Sequence, residues 1–167
     1  MALYATTEQL AFSKSDLKAI KIKFSNNRHA TLVIFNVYSH PQKHRKTLLF
    51  EKLLNKVEEI RCAHPTLNIL VTGDFNANII HIPESDAQLA AKSAIWSVLP
   101  QLPPLQKRLD AMGKQLVEAL KHLNMRVLNG RIKDDAPPSF THHSTKSATI
   151  TDYAAVSLLL LAHVSKF

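Results

Sequence analysis

A chain of 167 residues with 46% hydrophobic and 20% charged residues has the length of one ordinary domain and enough apolar content for a continuous core, which excludes a disordered or low-complexity protein. Lysine and arginine outnumber aspartate and glutamate by 21 to 13, giving a formal charge of +8, so the charge favours polyanionic partners, nucleic acid above all. The single cysteine, Cys62, excludes an internal disulfide, and no charged start with an apolar run and cleavage site opens the chain, so the expected setting is intracellular.

In chain order, Leu17 to Phe24 alternates lysine with apolar residues at Ile20 and Ile22. Thr31 to Tyr38 is rich in β-branched and aromatic residues, and both segments predict strands with the turn at Asn26 and Asn27 between them. From Thr47 to Ile60, Leu49, Phe50, Leu53, Leu54, Val57 and Ile60 recur at three- and four-residue spacing, which predicts an amphipathic helix, with Pro41 limiting its N-terminal extension. Leu67 to Thr72 is a short apolar run and predicts a strand buried on both faces. Strand, helix, strand indicates an α/β protein.

Asn78 to Leu105 contains Pro83, Pro100, Pro103 and Pro104 and is expected to be irregular, with one helix between Asp86 and Val98. Leu105, Leu109, Met112, Leu116, Leu120 and Leu123 then fall on one helical face, so a helix is predicted from Pro104 to about His122. Gly113 inside it should weaken it by roughly 1 kcal/mol relative to alanine. Arg126 to Leu128 predicts a strand ending at the Asn129-Gly130 turn signal. Further strands are expected near Phe140 to His142 and over Thr149 to Ser157. The apolar stretch from Val156 to Val164 is far shorter than the roughly 20 residues that span a bilayer, so it is assigned to buried strand or helix and no membrane partner is expected.

The residues suited to chemistry cluster at strand ends. ILVTGDFNA, from Ile69 to Ala77, is an apolar strand that runs into an acid and an amide at the carboxyl edge where open α/β sheets bind ligands. In extended backbone Asp74 and Asn76 point the same way. A carboxylate there can orient or deprotonate water, and a carboxamide can donate to a phosphate oxygen. The same pair also suits a plain turn, each side chain bonding its own backbone. Tyr38 ends the strand before NVYSHP turns into the helix, and its phenol suits either a phosphate contact or a rim position. Asp152 interrupts the apolar strand TITDYAAVS, where an aspartate needs a partner.

In this order, NVY-x-x-P, ILVTGDFNA, LNGR, FT and the I-x-D-Y strand resemble the endonuclease/exonuclease/phosphatase family over nearly the whole chain from Leu17, most closely the endonuclease domain of non-LTR retrotransposons. The resemblance implies a two-sheet α/β sandwich that hydrolyses phosphodiester bonds with Mg²⁺ or Mn²⁺. It implies that Tyr38 contacts the scissile phosphate, Asp74 positions the attacking water, Asn76 holds phosphoryl oxygens and Asp152 orients a catalytic histidine. DNA, ahead of RNA, is the implied partner, which would place the chain in the nucleus.

The pattern departs from the family at both ends. The family's strand ending in a metal-binding glutamate lies upstream of the matched region, Glu8 is not its equivalent, and the closing Ser-Asp-His segment has no counterpart around His163. His142 and His143 are expected in a loop, and Thr151 is polar where the family has an apolar residue. The expectation is one partial domain over residues 1–167, incomplete at both ends, of marginal stability and weak or absent activity. The alternative is a basic nucleic-acid-binding module without catalysis.

Overall fold

The computed structural model describes residues 5–10, 16–24, 31–40, 43–65, 67–79, 109–129, 142–143, 148–161 and 164. The strands are β1 (Ala5–Leu10), β2 (Leu17–Phe24), β3 (Thr31–Tyr38), β4 (Asn68–Asp74), β5 (Met125–Val127), β6 (His142–His143), β7 (Ala148–Thr149) and β8 (Asp152–Ser157). The helices are α1 (Lys43–Ala63), α2 (Ala111–His122) and the single turn α3 (Leu158–Leu161).

Six strands form one sheet in the order β1-β2-β3-β4-β8-β5. Its first three strands form an antiparallel meander, in which Ile20 faces Ile34 and Leu17 faces Val37. Helix α1 then carries the chain over to β4, which lies parallel to β3, as a crossover connection permits and a tight hairpin does not. β8 returns antiparallel on the far side of β4, and the three-residue β5 lies beyond it. The mixed α/β character expected from strand, helix, strand is therefore present. The second sheet among the described residues is the short ribbon of β6 and β7; His142 thus lies in a strand, as expected near Phe140 to His142, and with His143 it is not in a loop.

Both long helices pack on one face. Leu49, Phe50, Leu53 and Val57 of α1 and Met112, Leu116 and Leu120 of α2 join Val33, Phe35, Val37, Ile69 and Val71 in one buried cluster. Alternate strand residues point in because successive side chains take opposite faces. Ala154 and Val156 point to the outer face, where Leu128, Leu161 and the half-buried Leu70, Leu158, Leu160 and Val164 surround them. The leucine run after β8 is therefore a cap of one helical turn over this face, consistent with the expected buried segment. No described helix is long and apolar enough to cross a membrane.

Helix α1 is longer than its apolar periodicity, since KHRK adds a turn at its start composed largely of good helix formers. Helix α2 is shorter than predicted: it begins at Ala111, not near Pro104, because Asp110 takes extended backbone and accepts the Gly113 N–H at 2.6 Å as its N-cap. Leu109 matched the helical period in sequence without belonging to the helix, and Leu105 lies outside the described residues. Lys121 and His122 complement its C-terminal dipole, and Asn124, at φ 47°, follows its end in the left-handed region. At their far ends the helices are tied together by Glu58 to His122 at 2.6 Å and by the Arg61 guanidinium donating to the Leu123 carbonyl. Burial lowers the Arg61 pKa and Glu58 opposes the shift.

Several expectations fall outside the described residues: the Asn26-Asn27 and Gly130 turn positions, the helix between Asp86 and Val98, Phe140 with Thr141, and His163.

Candidate functional site

The GDFNA stretch is built around a close approach. Gly73 has φ +130°, and a Cβ there would lie 2.0 Å from the Val37 carbonyl oxygen and 2.9 Å from the Asn36 Oδ1, so β4 can reach β3 only with glycine at this position. The consequence is a straight row of residues. Tyr38 on β3 lies opposite Asp74 on β4, and Asp74 lies opposite Asp152 on β8. Two strand spacings, about 10 Å, separate the ends of that row. Tyr38 is half exposed, at 50%, while Asp74 and Asp152 are half-buried.

Phe75 anchors the next position. It is buried, stacks near Phe50 of α1 with ring centroids 6.5 Å apart and meets Tyr153 at 6.0 Å. Its N–H donates to the Thr151 carbonyl at 2.8 Å, so the segment after β4 stays attached to the residue before β8. The Tyr153 hydroxyl adds a second tie. It donates to the Ile150 carbonyl at 2.7 Å, has the Ala77 carbonyl at 3.1 Å, and accepts the Ile79 N–H at 3.2 Å. One buried phenol thus binds both strand-end segments that frame the row.

Asn76 departs from the extended geometry assumed in sequence, since its φ is 44°. Its side chain nevertheless meets Asp74. The Asn76 N–H donates to Asp74 Oδ1 at 2.9 Å, and its Nδ2 donates to Asp74 Oδ2 at 3.1 Å and to the Ser39 carbonyl at 2.8 Å. Both expectations for this pair are met at once: the two side chains are adjacent, and Asp74 bonds the backbone two residues on, as a turn aspartate does. Ser39, fully buried, donates its N–H to the Asp74 carbonyl at 2.7 Å, closing the β3 and β4 ends together.

Around Asp152, Thr151 uses its polarity: its hydroxyl donates to Asp152 Oδ2 at 3.4 Å, while the apolar position is filled one residue earlier by the buried Ile150. Asn129, in sequence a turn signal and part of the LNGR motif, has a further part here. Its Nδ2 donates to the Asp152 carbonyl at 3.1 Å and its Oδ1 accepts the Ala154 N–H at 3.0 Å. No periodicity flags such a contact, because it depends on which strand lies beside β8.

For a divalent cation the donors are few but of the right kind. Among the described residues no three His, Cys, Asp or Glu side chains converge. Asp74 and Asp152 supply the hard oxygen donors that Mg²⁺ takes, and that ion is commonly held by one or two carboxylates with water completing the shell. Glu8 lies on the edge strand β1 opposite Lys21, which faces Val33. Val33 is opposite Ile69, five residues short of Asp74, so Glu8 is remote from the row.

No protein-family model and no curated protein sequence matches the chain. Solved structures do. The catalytic domain of Xenopus laevis APE2 matches with a TM-score of 0.51 at 16% identity, over 87% of this chain and 46% of that one. Truncated Caenorhabditis elegans TDP2 matches with a TM-score of 0.49 at 12% identity, over 93% and 52%. An endonuclease/exonuclease/phosphatase family protein from Bacteroides thetaiotaomicron follows with 0.46 at 15% identity, over 85% and 41%. The chain spans about half the length of these structures. Over the part that is covered, the mixed α/β fold of this chain is similar to that of the APE2 catalytic domain.

Proposed function

We propose that this chain carries the core of a phosphodiester-hydrolysing site of the endonuclease/exonuclease/phosphatase type, acting on nucleic acid, DNA ahead of RNA, and most like the endonuclease domain of a non-LTR retrotransposon. The observation that carries the reading is the row Tyr38, Asp74, Asp152 across three neighbouring strands, with Asn76 bonded to its middle member.

Each member then has a task that its surroundings suit. The exposed Tyr38 phenol donates to a phosphate oxygen. Asp74 orients and deprotonates the attacking water with a carboxylate kept in place by two bonds from Asn76. The Asn76 amide trades the longer of its side-chain bonds, the one to Asp74, for a phosphoryl oxygen as negative charge grows there. Asp152 holds the place, at the far end of the row, of the family residue that orients a catalytic histidine. Mg²⁺ or Mn²⁺, held by Asp74 and water, would supply the positive charge that offsets the charge on the leaving oxygen. The outer face of β2 and β3 presents Ile20 at 38% exposure beside half-buried Ile22, Leu32 and Ile34, and it suits the second layer of a two-sheet sandwich.

Supercoiled plasmid with Mg²⁺ tests the reading. The wild-type chain should nick it at most weakly, and Asp74→Ala should lose at least about 10²-fold of whatever rate it has, the lower end of what a positioned acid or base contributes. Full activity in that variant would sink the proposal. A second reading, a non-catalytic binding module, draws on the charge of +8 and the exposed Lys18 and Lys23 of β2. Salt-sensitive DNA binding by a chain that never nicks would select it.

A further inference from the structure

We infer that Asn129 is a positioning residue, which holds the Asp152 end of the row by bonding β8 through its side-chain amide beyond the end of β5; the inference rests on the functional reading of that row. β5 has backbone partners on β8 only from Met125 to Val127, which face Ser157 to Ala155. One residue further, the Leu128 N–H still reaches the Ala154 carbonyl at 2.7 Å. Among the described residues the backbone ladder stops there. β8 continues for two more residues to Asp152, which lies opposite Asp74.

In an antiparallel strand successive residues direct their N–H and carbonyl groups alternately to the two neighbours. Ala154 turns both toward β5, since its carbonyl accepts from Leu128 and its N–H donates to Asn129. Asp152, two residues away, turns its carbonyl to the same side, where β5 has already ended. The Asn129 carboxamide spans the gap, accepting from the Ala154 N–H at 3.0 Å and donating to the Asp152 carbonyl at 3.1 Å. A carboxamide offers one donor and one acceptor in a plane, as a peptide group does, so it completes one more rung of the ladder. The rung falls beside Asp152. It fixes that residue's backbone and hence the direction of its Cα–Cβ bond across from Asp74.

The backbone ladder needs only the donor and acceptor; the site needs them at this position. Misplacement of a working group by about 1 Å can cost about 10²-fold in rate. Asn129→Ala should therefore lower kcat by about that factor with KM little changed. In an Asp152→Ala background the same substitution should add almost nothing, because a residue that acts through another is silent once the other is gone. A multiplicative loss in the double variant, or an unchanged kcat in the single one, would overturn the inference.

A second readout keeps this test apart from that of the function. By nuclear magnetic resonance on the whole chain, Asn129→Ala should speed exchange of the Ala154 amide hydrogen by about tenfold, the weight of one hydrogen bond. It should also move the Asp152 carboxyl carbon resonance while leaving that of Asp110 in place. A wild-type chain that nicks nothing would refute the phosphodiesterase reading. The resonance of Asp152 would still decide whether Asn129 positions it, and its indifference to the substitution would refute that.

Discussion

At the scale of single residues, the candidate site depends on two backbone conformations that side chains rarely take. Gly73 at φ +130° has the Val37 carbonyl where a methyl group would go, so Gly73→Ala combines backbone strain with overlap against a main-chain atom. A loss of about 3 kcal/mol or more in urea-induced unfolding is expected; a variant within 1 kcal/mol of wild type, below the usual range for such strain, would show that β4 can retreat without harm. Asn76 at φ 44° permits a cleaner separation of backbone from side chain. Asn76→Gly keeps the left-handed conformation accessible and removes the amide that braces Asp74. Its nicking rate should fall by about 10- to 10²-fold while its melting temperature stays close to wild type. The sequence made Asp74, Asn76, Tyr38 and Asp152 legible, because a carboxylate or amide at the end of an apolar run has few packing explanations. Asn129 was not legible in this role. Its partners lie 23 and 25 positions away, and only the order of strands in the sheet brings them to it.

At the scale of elements, Asp110 has more than one task. One carboxylate oxygen caps α2 through the Gly113 N–H, and the other accepts the Asn78 N–H at 3.2 Å. A Cβ on Gly113 would lie 1.8 Å from the Asn78 carbonyl oxygen, so the first turn of α2 presses directly on the segment that leaves GDFNA. Asp110→Ala should cost about 1–2 kcal/mol, measured by chemical unfolding, and Gly113→Ala should destabilise rather than give the gain usual for alanine in a helix. A more stable Gly113→Ala protein would contradict that contact. Strands β2 and β3 and the α1 crossover were readable because alternation and helical period were both strong there. β1 was not readable. Its sequence ATTEQL pairs with β2 at the edge of the sheet, where residues 6–9 are exposed, so burial imposes no pattern on it. The predicted start of α2 lay too early for the opposite reason: the apolar spacing reaches back through Leu109, ahead of the point where helical geometry begins.

At the scale of the whole molecule, the charge of +8 makes a prediction that does not depend on catalysis. Binding to duplex DNA should weaken log-linearly with salt, with a slope of about −0.9 for each phosphate neutralised, and fluorescence anisotropy across a salt series would measure it. Affinity indifferent to salt would remove the polyanion reading. The charge was visible from composition, whereas the meeting of Tyr38, Asp74 and Asp152 was expected only through the family resemblance, since it required the parallel step from β3 to β4 and the return of β8. That return has a temporal meaning. Asp74 and Asp152 pair as direct neighbours although they are 78 positions apart in the chain. Contacts of such long range are slow to close, and synthesis proceeds from the N-terminus. On the ribosome, Tyr38 and Asp74 can therefore align while Asp152 is still untranslated, and a nascent chain should remain chemically silent until its last strand docks.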